Sequence, residues 1–82
     1  MKIKYFAWLK NITNIESEYI SNNKINDIDS LKKYIIKKYP KLETFIVEED
    51  IIRFAVNLEY TQENKKLSLN DEIALFPPVS GG

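Results

Sequence analysis

A chain of 82 residues, 44% hydrophobic and 29% charged, is apolar enough to fold and short enough to form one small domain without a deep catalytic cleft. Its 12 basic and 12 acidic residues cancel to a formal net charge of zero, so no positive field favours phosphate backbones or anionic lipid, and neither nucleic acid nor membrane is expected as a partner. With no cysteine and no histidine, the chain has no disulfide, no thiolate metal site, no cysteine nucleophile and no imidazole base; no metal site is expected, and the cytoplasm is the expected location.

Lys2 to Leu9 alternates as a strand, with Ile3, Tyr5 and Ala7 on one side and Lys2, Lys4, Phe6 and Trp8 on the other. The lysines mark a wet face that nevertheless carries two large aromatics. Either these meet a partner or they pack beneath a neighbouring loop or helix. Asn11 to Glu16 reads as a connector, and Ser17 to Ser21 as a returning strand with Tyr19 and Ile20 as its apolar content. Asp27 is placed to cap a helix whose apolar stripe is Ile28, Leu31, Ile35 and Tyr39, with Pro40 ending it. Lys32, Lys33, Lys37 and Lys38 lie off that stripe and form a solvated face.

Lys41 to Asp50 is a crossing segment containing Leu42, Phe45 and Val47. Its acidic run Glu48-Glu49-Asp50 marks a turn, since consecutive acids do not converge as metal ligands must. Ile51 to Asn57 is the next strand, with Ile52, Phe54 and Val56 on one face, and a tight reversal leads to a short partner at Leu58 to Thr61. Beyond a polar loop, Leu67 and Leu69 are expected as local anchors, and Asn70 as the left-handed residue of a turn that has no glycine. Glu72 to Phe76 is the last strand, with Ile73 and Leu75 inward and Ala74 and Phe76 outward.

This order predicts an α+β grasp: one main helix packed on one face of a mixed sheet of about four to five strands, with the last strand beside the first. The predicted domain covers residues 1–76, followed by an extended tail over 77–82. Pro77 and Pro78 lack backbone donors and stop the sheet. Val79 offers a side-chain handle, Ser80 is small, and Gly81 and Gly82 are the only two glycines in the chain. Without a Cβ they suit a channel too narrow for other dipeptides; taken alone, they also suit a frayed terminus.

Four stretches resemble the small, sulfur-carrying subunits of molybdopterin synthases, a family of prokaryotic ubiquitin-like β-grasp proteins. They are Phe6-Ala7-x-Leu9-Lys10, Asp27-Ile28-x-x-Leu31, Ala55-Val56-Asn57, and the closing segment Leu67-x-x-x-Asp71-Glu72-Ile73-Ala74-x-Phe76-Pro77-Pro78-Val79-Ser80-Gly81-Gly82. Thiamine-pathway carriers share the fold and the terminal Gly-Gly, but do not usually carry Phe-Pro-Pro-Val before it. The family often has Asp-Gly-Asp-Glu at the last turn, where this chain has Leu69-Asn70-Asp71-Glu72, and an aliphatic residue at the position of Tyr60.

The resemblance implies that the Gly82 carboxylate is the reacting group. An ATP-dependent activating enzyme would adenylate it, a sulfurtransferase would supply sulfur to give a thiocarboxylate, and a large subunit would admit Pro77, Pro78, Val79, Ser80 and Gly81 along with it. Sulfur would pass to cyclic pyranopterin monophosphate in a heterotetramer. No cofactor would be held permanently, and ATP would be the activating enzyme's substrate. Phe6 and Phe76 by pattern, and Tyr60 by the resemblance, form the expected partner-binding face. A carrier for thiamine, cysteine or a tungsten cofactor, a protein modifier, and a non-catalytic ubiquitin-like interaction module are the alternative readings.

Overall fold

The computed structural model describes residues 1–78; the tail positions Val79, Ser80, Gly81 and Gly82 lie outside the described residues. Strand β1 (Lys2–Tyr5) is followed by the short helix α1 (Leu9–Thr13), strand β2 (Ser17–Tyr19), helix α2 (Ile28–Lys38), strands β3 (Arg53–Val56) and β4 (Glu59–Thr61), and strand β5 (Glu72–Phe76). The five strands form one sheet in the order β2-β1-β5-β3-β4. The central pair β1 and β5 is parallel and the other pairings are antiparallel. This is the predicted ubiquitin-like β-grasp, with the last strand beside the first.

Helix α2 forms where the sequence places it because both ends are specified locally. The Asp27 carboxylate accepts from the Ser30 amide at 2.8 Å, and Ser30 Oγ accepts from the Asp27 amide at 3.1 Å. Two amides that a helix start leaves unpaired are thereby satisfied. Ile28, Leu31 and Ile35 are buried against the inward residues of the sheet, among them Ile3, Tyr5, Phe54, Val56, Ile73 and Leu75.

The first strand is shorter than its alternation predicts. Ala7 turns to φ 54° and the chain enters α1, which Asn14 closes in a left-handed conformation (φ 64°) by donating its N–H to the Lys10 carbonyl at 2.8 Å. Ala7 therefore does not continue the inward face, Trp8 leaves the outward one, and the expected connector is partly helical. A five-residue helix has too few internal bonds to announce itself, and α1 is held by burial of Leu9 and Thr13.

Leu69 is exposed and does not anchor the loop; Leu67 does, being buried. Asn70 is also not the left-handed residue expected. The turn before β5 closes instead through Asp71, whose N–H donates to the Ser68 carbonyl at 3.1 Å and whose Oδ2 accepts from the Ser68 amide at 2.8 Å. The left-handed pair lies in the β3–β4 hairpin, at Asn57 (φ 51°) and Leu58 (φ 69°). Two consecutive positive φ values match the twist of a two-residue hairpin, which glycine normally supplies at the second position. Leu58 is 90% exposed and gains no burial in return. Leu58→Gly is expected to raise the unfolding free energy by about 0.5–1 kcal/mol, read from the urea midpoint, because the left-handed cost of Cβ exceeds the added freedom of the unfolded chain. An unchanged or lower midpoint would show that the turn is not strained.

A polar clasp ties edge strand β2 to the end of α2. Glu18 points inward beside Ile3 and accepts hydrogen bonds from the hydroxyls of Tyr5 and Tyr39, both at 2.7 Å, and from the Lys38 ammonium. Burial alone would raise the Glu18 pKa, but Lys38 and the two phenols outweigh it and hold the carboxyl below its ordinary value of 4.5. Burial and the same carboxylate push the Tyr39 hydroxyl up to about 12 and raise that of Tyr5 still further. A lowered folded-state pKa contributes stability that is present above the unfolded value, 4.5, and is lost as the pH falls through the folded one. Glu18→Ala is expected to cost about 2–3 kcal/mol at neutral pH, because two phenols and an ammonium lose their acceptor, and to flatten the acid limb of the melting-temperature profile. An acid limb identical to wild type would remove Glu18 from this role.

Candidate functional site

The candidate site is the outward face of the sheet at the end where β5 gives way to the tail. Strands β1 and β5 pair in register from Lys2 and Glu72 to Tyr5 and Leu75. The Phe6 amide extends this pairing by donating to the Leu75 carbonyl at 3.0 Å, which sets Phe6 beside Phe76. Arg53 is the partner of Phe76 on the other side, and Ala55 is paired with both Ala74 and Tyr60. Because side chains across a register point the same way, Phe6, Phe76 and Tyr60 share the outward face, with Ala55 and Ala74 as a low floor between them.

Phe6 and Tyr60 are 46% and 53% exposed. Phe76 is half-buried between its neighbours, its ring 6.2 Å from that of Tyr60 at a tilt of 46°. The far end of the face is charged: Lys4 pairs with Glu72 at 3.4 Å, and the Lys2 ammonium lies 5.7 Å from the Tyr19 ring centre. Apolar aromatics over a floor of small residues, edged by ions, are the anatomy of a protein-binding patch.

The predicted aromatics Phe6, Tyr60 and Phe76 are therefore brought together. Arg53 and Ala55 belong to the same patch; neither was expected as a site residue, Ala55 entering only within the stretch Ala55-Val56-Asn57, although their alternation with Ile52, Phe54 and Val56 carries the signal. The Arg53 guanidinium reaches back to donate to the Asp50 carbonyl at 2.8 Å. Trp8 lies elsewhere, its ring edge-on to Phe45 with centroids 4.9 Å apart. Pro77 is buried and Pro78 is exposed. Val79, Ser80, Gly81 and Gly82, the remaining predicted site residues, lie outside the described residues.

Tyr5 and Tyr39, the phenols with raised pKa, are bonded to Glu18 on the helix side. Among the described residues, no group of three or more acidic, histidine or cysteine side chains is placed to hold a metal. Nor does any helix among them have the length and apolarity to cross a membrane. This arrangement can dock a partner and deliver the chain that continues past Pro78.

A family model described as the ThiS family matches residues 3–82. The chain belongs to the ThiS family. Its relatives within reach of this sequence include the human protein named molybdopterin synthase sulfur carrier subunit, 38% identical over 85 residues that cover 100% of this chain and 93% of the human one. Among solved structures, the small archaeal modifier protein SAMP1 of Haloferax volcanii superposes with a TM-score of 0.82 at 26% identity, covering 99% of this chain and 97% of that one. A chain of the Helicobacter pylori complex of subunits 1 and 2 of molybdopterin-converting factor has the same fold, with a TM-score of 0.67 at 24% identity over 99% of this chain and 96% of that one.

Proposed function

We propose that this ThiS-family chain is the sulfur-carrier subunit of a molybdopterin synthase, with the Gly82 carboxylate as its reacting group. The observation that carries this reading is the full-length likeness to the human molybdopterin synthase sulfur carrier subunit. The exposed aromatic face from which the Phe-Pro-Pro-Val-Ser-Gly-Gly tail departs supports it. A carboxylate is a poor electrophile, because two oxygens share its carbonyl. An activating enzyme joins it to AMP from ATP with release of pyrophosphate; sulfide supplied through a sulfurtransferase then attacks the acyl carbon, AMP leaves, and a thiocarboxylate remains.

The large subunit docks on Phe6, Tyr60 and Phe76 and takes Pro77 to Gly81 into its site. The thiocarboxylate sulfur bonds to a side-chain carbon of cyclic pyranopterin monophosphate as the oxygen on that carbon leaves, and water then cleaves the bond between that sulfur and the Gly82 carbonyl, returning the carboxylate. Tethering raises the effective concentration of sulfur at the acceptor and keeps a labile atom out of bulk water. General acids, bases and oxyanion donors come from the partner, so this chain is a donor subunit of the enzyme and not an enzyme alone. Two carriers on a dimeric large subunit give a heterotetramer.

The structural likeness to SAMP1 favours a second reading, in which the same adenylate ends in an amide bond to a target lysine. Intact mass separates the two. Material from cells supplied with the sulfur donor is expected to carry sulfur in place of one oxygen at Gly82. Recovery only as conjugates joined through Gly82 would select the modifier reading.

A further inference from the structure

The aromatic patch does not end at Phe6. Phe6 is also one wall of a groove of about 340 Å³ whose charged lining is Lys2, Lys4, Lys10 and Glu16. Lys2 and Lys4 stand on the outward side of β1, opposite Tyr19 and Ser17 of β2. Lys10 joins them because the left-handed Ala7 turns the chain into α1, and Glu16 is held beside β1 by the Tyr5 amide, which donates to its carbonyl at 2.8 Å. The charged residues on the outward side of the strands are Lys2, Lys4, Arg53 and Glu72, three cations to one anion in a chain that carries 12 of each sign.

The acids at hand leave this excess uncompensated. Glu72 is the register partner of Lys2, but its carboxylate pairs with Lys4 at 3.4 Å. The Lys2 ammonium lies over the exposed Tyr19 ring instead and makes no ion pair among the described residues. Lys10 and Glu16 are 4.0 Å apart with side chains 44% and 86% exposed, a pair that water screens.

We infer that this groove extends the docking face and receives an extended acidic segment of the large subunit, with carboxylates at alternate positions meeting Lys2 and Lys4. The spacing carries the match. Lys2 and Lys4 are two residues apart on one side of a strand, about 7 Å, and alternate side chains of an extended segment repeat at the same interval. Phe6 makes the groove continuous with the aromatic patch, so one partner surface covers both. The exposed ion pairs inside the groove exchange for partner carboxylates at little cost, and complementary charge around an apolar contact acts chiefly on the association rate. The identity of the partner rests on the carrier reading; the groove's preference for an acidic chain does not.

Two measurements on the full-length protein test the groove. Titration of the isolated, nitrogen-15-labelled protein with a short peptide of alternating Gly and Glu is expected to shift the Lys2, Lys4, Phe6 and Ser17 amides, while a Gly-Lys peptide leaves them in place. The double variant Lys2→Gln, Lys4→Gln is expected to lose the shifts at Phe6 and Ser17. Unmoved amides in wild type overturn the groove, and so do larger shifts with an oligothymidylate, which would make it a phosphate site. In stopped-flow binding to the large subunit, the double variant is expected to associate about tenfold more slowly than wild type at ~10 mM salt and within about twofold of it at ~0.5 M, where screening is strong. A rate equal to that of wild type at low salt removes the large subunit as the occupant and overturns the proposal. If wild type does not bind the large subunit at all, the carrier reading fails, and the peptide titration still decides the groove.

Discussion

Removal of Gly82 is expected to abolish sulfur transfer and leave the melting temperature where it was. The two outcomes belong together, because strand β5 ends at Phe76, six positions before Gly82, and a glycine has no side chain to bury. The loss is expected to be complete and not graded. Without Gly82 the acyl carbon moves back by one residue, about 3.5 Å of extended chain, and misalignment of about 1 Å at a reacting centre already costs two orders of magnitude. Gly81→Val is expected to block transfer by another route, since a branched Cβ widens the chain where a narrow channel must pass it. Melting temperature by calorimetry and single-turnover sulfur transfer to the pterin acceptor check both variants. A large drop in melting temperature would assign the tail to the fold.

Phe76→Asp is expected to weaken the complex with the large subunit by at least 2 kcal/mol, or ~30-fold in Kd, with the fold retained. Phe76 lies at the middle of the aromatic face, between Phe6 and Arg53 in the sheet and 6.2 Å from Tyr60 across it. A carboxylate there would remove the central apolar contact and be desolvated on docking beside an Arg53 whose guanidinium is already engaged by the Asp50 carbonyl, which is costly for an interfacial charge. Phe76 is only half-buried and points away from the core, so the isolated subunit tolerates the change. Titration calorimetry against the large subunit, alongside the circular dichroism of both proteins, reads the two effects separately. Equal affinity for wild type and variant would place the docking face elsewhere.

Much of this was legible in the sequence because the relevant signals are local. Asp27 and the Ile28, Leu31, Ile35 stripe mark α2, and alternation at Ile73, Leu75 and Phe76 fixes both the limits and the facing of β5. What escaped the sequence depends on contacts between distant residues. The left-handed turn at Ala7 ends β1 early and carries Trp8 to Phe45, 37 positions away in the chain, and no periodicity reports such a meeting. The clasp at Glu18 was hidden for the same reason. An acidic residue on a short edge strand reads as solvated until Tyr5, Tyr39 and Lys38 are brought to it. Asn70 misled because asparagine signals a turn without fixing which residue of the turn is left-handed, whereas Asn57 and Leu58 took that conformation to satisfy the hairpin twist.

At the candidate site, alternation brought out Phe6 and Phe76, the family likeness added Tyr60, and the register joined Arg53 and Ala55 to them. The patch has the make-up of a grip: aromatic, partly exposed and edged by the Lys4–Glu72 pair.

The most direct measurement is the intact mass, followed by the mass of the C-terminal peptide, after incubation of the purified protein with its activating enzyme, ATP and a sulfur donor. The account predicts a gain equal to the replacement of one oxygen by sulfur, located at Gly82 and dependent on ATP. An unchanged mass, under conditions in which the same enzyme preparation converts a carrier known to accept sulfur, would contradict it.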